Sequence, residues 1–257
     1  MNNQPKICPL CAASISFEAR ESFGEWRLFE CAKCFIQFWW PLQHPGKEFY
    51  EEIRDDKFFS GKIGGMLPWS QRQFLKNPPV KKGMLLDIGC GSGDFLNAAR
   101  KAGFNVWGFD ISERMIKTAK RLYGLLNVYV SKDDDFILRK DIPKFDIITI
   151  FDVLEHLTDP NVFLETVKNL LKPNGYCVIG VPNLERAGKK TEQWDYPPHH
   201  FFRWQKGVLK GFLEKRGFAV IQLAEQPYSA ISILYEKQLL SLGIIKFFKS
   251  KRRGAPA

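Results

Sequence analysis

The chain reads LLDIGCGSGD from Leu85 to Asp94, where an apolar run ends in three alternating glycines and an acid. The apolar run predicts a buried strand, and the residues after the glycines predict a helix. Glycine lets the main chain turn sharply and approach a ligand with no side chain in between. The backbone N–H groups at the start of a helix attract electron-rich ligand atoms. The segment therefore predicts a ligand site at a strand–loop–helix junction.

A second acid strengthens this interpretation. Asp110 ends another apolar segment, 106–109, about twenty residues after the loop. A carboxylate in that position can accept hydrogen bonds from both hydroxyls of a ribose. The glycine spacing is GxGxG and differs from the GxGxxG of dinucleotide-binding folds, and Asp87 ahead of the glycines is a further difference.

Three motifs resemble those of one enzyme family. LLDIGCGSGDFL, residues 85–96, is similar to the first motif of class I S-adenosylmethionine-dependent methyltransferases, and GFDIS, residues 108–112, resembles their second. FDVLEHLTDP, residues 151–160, resembles the segment after the fourth strand in the branch with the ubiquinone-biosynthesis O-methyltransferases. The resemblance covers roughly residues 83–225. It implies an α/β fold with a doubly wound, mostly parallel sheet and S-adenosylmethionine as cofactor.

Apolar and amphipathic segments alternate through this region, which is typical of a doubly wound sheet. Helix signals separate the strands, and Thr158-Asp159-Pro160 predicts the start of a helix that ends near Leu171. Ligands of such sheets bind at the carboxyl ends of the strands. The predicted strands are 84–88, 105–109, 126–130, 145–150, 175–181 and 218–223.

The resemblance also implies a set of cofactor contacts. Asp87 would lie by the methionine end of the cofactor, Asp110 would bind the ribose hydroxyls, and Ile111 would pack on the adenine. An acid after the third strand would accept from the adenine amine, although the run of acids there is also typical of a solvated turn. The cofactor-binding candidates are Asp87, Gly89, Cys90, Gly91, Gly93, Asp110, Ile111, Asp133, Asp134, Phe151 and Asp152.

Four of the six cysteines form two CxxC pairs, Cys8/Cys11 and Cys31/Cys34, nineteen residues apart. Two such turns facing each other can supply four thiolates to one tetrahedral ion, which predicts a structural zinc ribbon over residues 1–40 with a hairpin between 17 and 29. Disulfides are the alternative. The N-terminus lacks the apolar core of an export signal, so we expect a cytoplasmic protein with reduced thiols.

An aromatic cluster of Phe35, Phe38, Trp39 and Trp40 follows the second cysteine pair. We expect it to pack the ribbon against a larger body, with a base-stacking surface as the alternative. Residues 41–82 predict a helical connector whose helix near 69–75 would cap the cofactor pocket. The methyltransferase domain is expected over 83–225.

Polar residues after the fourth strand are candidates for catalysis. Asp152, Glu155 and His156 fall at i, i+3 and i+4, hence on one face of a helix that begins there. His156 could take a proton from a substrate hydroxyl, because neutral imidazole suits that task. Two other interpretations stay open. The resemblance suggests that the three residues hold a divalent cation. Alternatively, Glu155 and His156 only organise the loop through hydrogen bonds.

Residues 194–204 combine aromatic residues with His199 and His200 and are expected to line the acceptor pocket. A regular helix or strand would direct at most one of two adjacent histidines into the site, and His200 is favoured. A structural role for both is the alternative. The catalytic candidates are therefore His156, His200 and Glu155.

Positive charge is concentrated at the C-terminal end. The 257 residues carry a net charge of +10, and six of the basic residues, with no acid, follow Glu236. The apolar spacing from Tyr228 to Phe248 predicts an amphipathic helix and a basic tail over 226–257. The antiparallel seventh strand usual in the family is then not expected, unless 229–235 supplies it. The tail could stay solvated, bind RNA or contact an anionic membrane surface.

These features predict methyl transfer from S-adenosylmethionine to a small-molecule acceptor, with oxygen as the favoured acceptor atom. An RNA methyltransferase that binds nucleic acid through the ribbon and the tail is the first alternative, although no Asn-Pro-Pro-Tyr-like segment follows the fourth strand. A non-catalytic cofactor-binding scaffold is the second.

Overall fold

Two sheets and six α-helices make up the computed structural model, which describes residues 4–14, 18–53, 66–131, 142–185, 195–226 and 243–250. The strands are β1 (Glu21–Phe23), β2 (Trp26–Glu30), β3 (Gln37–Trp40), β4 (Gly83–Ile88), β5 (Phe104–Asp110), β6 (Val128–Val130), β7 (Phe145–Phe151), β8 (Leu171–Pro182), β9 (Phe202–Arg203), β10 (Phe218–Glu225) and β11 (Gly243–Ser250). The helices are α1 (Lys47–Ile53), α2 (Trp69–Lys76), α3 (Asp94–Lys101), α4 (Glu113–Tyr123), α5 (Pro160–Leu170) and α6 (Lys206–Lys215). Of the helices described, none has both the length and the apolar character needed to cross a bilayer.

The central sheet has the order β10-β11-β8-β7-β4-β5-β6. Its five strands from β8 to β6 pair in parallel, and β11 lies antiparallel between β8 and β10. The middle strands are apolar on both faces, as in Leu85-Leu86 and Ile147-Ile148, because helices cover a parallel sheet on both sides. The predicted doubly wound sheet is confirmed, and each predicted strand is present within a few residues.

The expected helix from Tyr228 to Phe248 is wrong over residues 243–248, which belong to β11 (Gly243–Ser250). Ile244 lies opposite Val181 of β8, and Lys246 lies opposite Leu223 of β10. The apolar spacing was ambiguous because a short apolar run fits either structure, and the open edges of β8 and β10 decide it in favour of a strand. The seventh strand is therefore present. Residues 227–242 and 251–257, with the alternative strand 229–235, lie outside the described residues.

The predicted helix after the fourth strand is α5, and its start has the expected cap. Pro160 occupies the first turn, and the Asp159 side chain accepts hydrogen bonds from the backbone N–H groups of Asn161 and Val162, at 2.9 and 3.1 Å. These bonds satisfy donors that have no partner within the helix. The helix ends at Leu170, close to the predicted residue.

The N-terminal sheet, with the order β1-β2-β3-β9, belongs to the same core as the central sheet. We call residues 4–40, with both CxxC pairs and β1 to β3, the cysteine ribbon. Its β3 pairs with β9, where Phe38 lies opposite Phe202. Phe38 and Trp39 are fully buried, as expected for a packing cluster, whereas the side chain of Phe35 is 58% exposed.

In the segment expected to be the connector, the described residues 41–53 and 66–82 include two helices. The helix expected near 69–75 is α2, and its Phe74 packs against the rings of Phe95 and Phe104 in the core. The shorter α1 instead contacts the loop after β5, because Glu51 accepts hydrogen bonds from Ser112 Oγ and from the backbone N–H of Glu113, at 3.0 and 2.8 Å. Of the two connector helices, α1 has the direct contact with the residues beside Asp110.

Candidate active site

The glycine loop adopts the backbone that its sequence predicts. Gly89, Gly91 and Gly93 have φ values of 79°, 53° and 81°, in the left-handed region that favours glycine. The N–H groups of Gly89 and Cys90 donate to the carbonyl of Phe109 at 2.8 and 3.0 Å. A Cβ on Gly89 would clash with Val153 Cγ2. The loop is therefore held against β5 on one side and against the segment after β7 on the other.

Two buried carboxyl groups flank this loop. Asp110 Oδ2 accepts from the N–H of Gly91 at 2.7 Å, and its Oδ1 accepts from the N–H of Ser112 at 2.9 Å. Asp87 accepts from Thr149 Oγ1 at 2.7 Å. Burial, reinforced by the charge of Asp110, raises the pKa of Asp87 to about 8. A carboxylate can accept several hydrogen bonds, so backbone contacts of this kind are compatible with a ligand hydroxyl on the same group.

The other cofactor candidates occupy different environments. Cys90 packs against Gly108, where an added Cβ would come 2.8 Å from Cys90 Sγ. The ring of Phe151 lies 5.1 Å from that of Phe95 in the core. Ile111 is half-buried at the start of the turn after β5. Asp133 and Asp134 lie outside the described residues.

Three of the chain's four histidines meet beyond the end of β7. The ring of His156 lies 4.7 Å from the rings of His199 and His200, which stack on each other at 4.8 Å. Both rings of the adjacent pair therefore contact His156, whereas the sequence predicts that only one of them faces the site. That prediction assumed a regular helix or strand, whereas residues here form turns in which the N–H groups of His199 and His200 both donate to Tyr196 O.

Glu155 is the most buried polar group of this cluster, with 1% of its surface exposed. Its Oε1 lies 3.9 Å from Nε2 of both His156 and His200. Among the described residues, neither carboxylate oxygen has a hydrogen-bond partner. Burial first, and then the charge of Asp152, raise the pKa of Glu155 well above its usual range.

The expected helical face of Asp152, Glu155 and His156 does not form. The helix is a single 3₁₀ turn that begins at Leu154, and Asp152 precedes it with a left-handed φ of 53°. The backbone N–H of Asp152 donates to Gly180 O at 3.0 Å, which fixes this residue on the adjacent strand. Only Glu155 and His156 of the three therefore share the helical turn.

The Nδ1 atoms of two histidines face oxygen atoms, which orients their rings. His156 Nδ1 is 2.5 Å from His199 O and can donate to it, and His200 Nδ1 is 3.7 Å from Asp195 Oδ1. The Nε2 atoms of both rings then face Glu155. Because a proton held on Nδ1 leaves Nε2 with a lone pair, these nitrogens can accept a proton or bind a metal ion.

Several residues near the cluster were missed by the sequence analysis. The rings of Phe49 and Tyr50, on α1, lie 6.3 Å from the rings of His199 and His156. Because α1 has only seven residues, it gives no strong periodic signal. Asp195 was also missed, and its carboxylate lies 3.7 Å from His200 Nδ1. The short separation of the two residues in the sequence is the signal that could have indicated this contact.

The four cysteines of the ribbon come together as predicted. Their Sγ atoms lie within 4.8 Å of one another, with 3.6 Å between Cys8 and Cys34 and 3.6 Å between Cys11 and Cys31. All six cysteines of the chain are in described segments and are free thiols. Zn–S bonds of about 2.3 Å in a tetrahedron place sulfur atoms about 3.8 Å apart, so the spacing fits one bound zinc ion.

Both CxxC turns have the same backbone geometry. The N–H four residues after the first cysteine donates to that cysteine's carbonyl, from Ala12 to Cys8 at 2.9 Å and from Phe35 to Cys31 at 2.8 Å. Ala12 and Phe35 both have a left-handed φ, at 54° and 60°. The repeated turn presents two pairs of thiols to a common point, which is what four-sulfur coordination requires.

Comparisons with known proteins agree with this architecture. A family described as "Methyltransferase domain" matches residues 65–223. The ubiquinone biosynthesis O-methyltransferase of Coxiella burnetii is 41% identical over 101 residues, which is 38% of this chain and 43% of that protein. The chain thus spans less than half the length of the curated relatives it matches.

Solved structures show the same fold. The S-adenosylmethionine-dependent methyltransferase of Aquifex aeolicus is 21% identical, with a TM-score of 0.53 over 70% of this chain and 89% of that one. The magnesium protoporphyrin IX methyltransferase of Synechocystis, solved with S-adenosylhomocysteine, is 14% identical, with a TM-score of 0.54 over 80% of this chain and 100% of that one. The family match covers more than half of the chain, and it assigns the chain to the methyltransferase-domain family.

Proposed function

We propose that this protein transfers the methyl group of S-adenosylmethionine to a hydroxyl oxygen of a small molecule. The observation that carries the proposal is the buried carboxylate of Glu155, 3.9 Å from two imidazole nitrogens and two residues from Val153, which contacts the glycine loop. A polar cluster beside the cofactor loop suits a hydroxyl acceptor, which must lose its proton to attack. The name of the Coxiella relative supports oxygen as the acceptor atom.

The residues around the loop fit the cofactor. We infer that Asp110 binds the ribose hydroxyls, that Asp87 faces the ammonium group, and that Ile111 packs on the adenine. The loop itself, from Gly89 to Gly93, brings main chain to the ligand without side chains. When bound, S-adenosylmethionine supplies a methyl group on a positively charged sulfur. Asp133 or Asp134 remains the candidate partner of the adenine amine.

Binding of the cofactor is expected to release close to one proton from the protein at pH 7. Asp87, with a pKa of about 8, is mostly protonated at that pH, and a bound ammonium group would favour its ionised form. Affinity should therefore rise with pH and level off above about pH 8. Calorimetry of S-adenosylhomocysteine binding in buffers of different ionisation enthalpy measures the released protons.

The matched variant is Asp87→Asn, which keeps an acceptor for Thr149 Oγ1 but has no titrating group. It should bind the ligand without buffer-dependent heat. Proton uptake by the unaltered protein, or the same proton release from the variant, would contradict the assigned position of Asp87.

On the acceptor side, we propose that His156, His200 and Glu155 act together to remove the hydroxyl proton. His156 and His200 each have Nδ1 facing an oxygen, so their Nε2 atoms can accept a proton. Removing a general base of this kind lowers turnover by about 10²- to 10⁴-fold. His156→Gln is expected to fall in this range with hydroxyl acceptors, while its dissociation constant for S-adenosylhomocysteine changes less than about threefold.

His44→Gln is the control for this variant, since His44 is the one histidine outside the cluster. It should keep turnover close to that of the unaltered protein. The role of His156 is refuted if a folded His156→Gln protein methylates a hydroxyl acceptor at an unchanged rate.

The acceptor class is tested with methyl-labelled S-adenosylmethionine and a panel of phenols, amines and RNA. We expect the label in hydroxyl compounds. Label that appears only in RNA would favour the ribbon and tail as a nucleic-acid surface, and cofactor binding without any transfer would favour a scaffold. Either result would overturn the proposed function.

We also propose that Cys8, Cys11, Cys31 and Cys34 bind one structural zinc ion. The 3.6 Å sulfur separations and the two matching turns support this assignment. Four protein ligands fill a tetrahedral ion, so such a site stabilises the fold and leaves no position for substrate.

A further inference from the structure

The histidine cluster has the composition of a second metal site. His156, His199 and His200 each offer a ring nitrogen, and these atoms lie within 4.8 Å of one another. Imidazole is the side chain that most often binds transition metals. Three rings from two separate segments meet here although the chain has only four histidines.

Glu155 gives an independent reason to expect a ligand in this cluster. The side chain is 1% exposed, and both of its oxygens lack a hydrogen-bond partner among the described residues. A buried carboxylate without partners is costly, and coordination of a cation is one of the few ways to satisfy it. Its Oε1 faces two of the three imidazoles at 3.9 Å, so an ion between them would contact all three groups.

The groups behind the imidazoles match the outer contacts of metal-bound histidines. Such histidines usually donate their second ring N–H to a carbonyl or a carboxylate, which fixes the ring. His156 Nδ1 has the carbonyl of His199 at 2.5 Å, and His200 Nδ1 has Asp195 Oδ1 at 3.7 Å. The carbonyl thereby holds the His156 ring with Nε2 toward Glu155, and the carboxylate of Asp195 lies on the Nδ1 side of the His200 ring.

We propose that His156, His199 and His200, together with Glu155, bind one divalent transition-metal ion such as Zn²⁺ or Co²⁺. Three imidazoles favour these ions over Mg²⁺, which prefers oxygen ligands. Ligand atoms around a tetrahedral zinc ion lie about 3.3 Å apart. The three imidazole nitrogens lie within 4.8 Å of one another, and Glu155 Oε1 lies 3.9 Å from two of the rings, so the ligands would move together on binding. The site differs from the set of Asp152, Glu155 and His156, because Asp152 precedes the helical turn and its backbone N–H donates to Gly180 O of β8.

Metal binding does not depend on the proposed acceptor chemistry, although it would change how that chemistry works. With the ion bound, the imidazoles would act as ligands and no longer accept a proton, and a substrate hydroxyl would reach the ion only as a fifth ligand, whose pKa the ion would lower. Only this effect of the ion on the acceptor chemistry rests on the proposed function. Failure of the metal site would leave Glu155 and the histidines as a metal-free base, and failure of hydroxyl methylation would leave the metal site intact.

The test is a titration of the purified full-length chain with Co²⁺ alone, after the cysteine site has been filled with Zn²⁺. The unaltered protein should bind one equivalent more than the His199→Ala/His200→Ala variant, with the visible absorption of nitrogen- and oxygen-ligated cobalt. His44→Ala should bind the same amount as the unaltered protein. Equal binding by the double variant and the unaltered protein would overturn the proposal. The proposal would also be overturned if the Asp152→Asn variant lost the ion while the His199→Ala/His200→Ala variant kept it.

A measurement on the unaltered protein avoids the question of whether the variants fold. In a sample with labelled histidine, Zn²⁺ should shift the side-chain NMR signals of three of the four histidines and leave that of His44 unchanged. Addition of Zn²⁺ without any change in the signals of His156, His199 and His200 would refute the site. As a control on the variants, binding of S-adenosylhomocysteine by His199→Ala/His200→Ala is expected to be retained.

Discussion

Replacing Cys31 with serine is expected to abolish binding of the proposed zinc ion and to destabilise far more than the ribbon. Zinc supplies on the order of 10 to 16 kcal/mol in small zinc-finger peptides, and a ribbon of this size cannot fold on its apolar contacts alone. Here the ribbon is part of a larger core. Phe29, Phe38 and Trp39 are fully buried in the same cluster as Phe201 and Trp204 of the catalytic domain. Loss of the ion should therefore open this shared core.

The acceptor side of the enzyme should be affected directly. The N–H of Trp39 donates to Phe201 O at 2.8 Å, and the N–H of Phe201 donates to Glu155 O at 2.8 Å. These bonds join the ribbon to the residue that follows His200. The cysteine turns are also held to the catalytic domain, since Arg216 donates to Leu10 O and Asn161 to Pro9 O, each at 2.7 Å.

The expected results for Cys31→Ser are a zinc content near zero, a fall in Tm of about 10 °C or more, and loss of methyl transfer. A loss of several kcal/mol gives a shift of this size in a chain of this length. Cys177→Ala is the control, because Cys177 is buried in β8 away from the other thiols and its removal should leave the zinc content unchanged. Full zinc content, or an unchanged Tm, in Cys31→Ser would contradict the four-cysteine site.

Replacing Asp110 with alanine should weaken S-adenosylhomocysteine binding by at least about 100-fold. The carboxylate holds two backbone N–H groups, those of Gly91 and Ser112, and in the proposed complex it also binds the ribose hydroxyls. Each buried donor left without a partner costs about 1 to 3 kcal/mol, so the loop loses its shape as well as a ligand contact. The loss of loop shape and the loss of the ligand contact both weaken binding of S-adenosylhomocysteine. A combined loss of about 2.7 kcal/mol in binding free energy is enough for an affinity about 100-fold weaker.

Calorimetry with the folded variant checks this expectation, and circular dichroism establishes that it is folded. Asp146→Asn serves as the control, because Asp146 pairs with Lys172 and accepts from the N–H of Met84 at the opposite end of β4. It should bind the ligand as the unaltered protein does. Undiminished binding by a folded Asp110→Ala protein would refute the role assigned to this acid.

The central sheet and its loop could be predicted because their signals are local. The apolar run from Met84 to Ile88 leads into glycines that no other residue could replace without strain, and Asp159-Pro160 is a helix start in the sequence itself. The same is true of the two CxxC turns. In each case, neighbouring residues determine the backbone, so tertiary contacts only confirm it.

The acceptor side could not be predicted to the same degree because long-range contacts shape it. His199 and His200 both face His156 only because the chain turns at Tyr196, and Asp152 leaves the expected helical face because its N–H pairs with Gly180. Residues 243–250 form a strand because β8 and β10 leave a place between them. The burial of Glu155 likewise depends on residues distant in sequence, as its backbone pairs with Phe201.

A crystal structure of the complex with S-adenosylhomocysteine tests the central claim most directly. The account predicts the ribose hydroxyls on Asp110, the amino group near Asp87, and the sulfur atom between the glycine loop and the cluster of His156, His200 and Glu155. A ligand bound elsewhere, or one whose sulfur points away from this cluster, would contradict both the cofactor site and the proposed acceptor site.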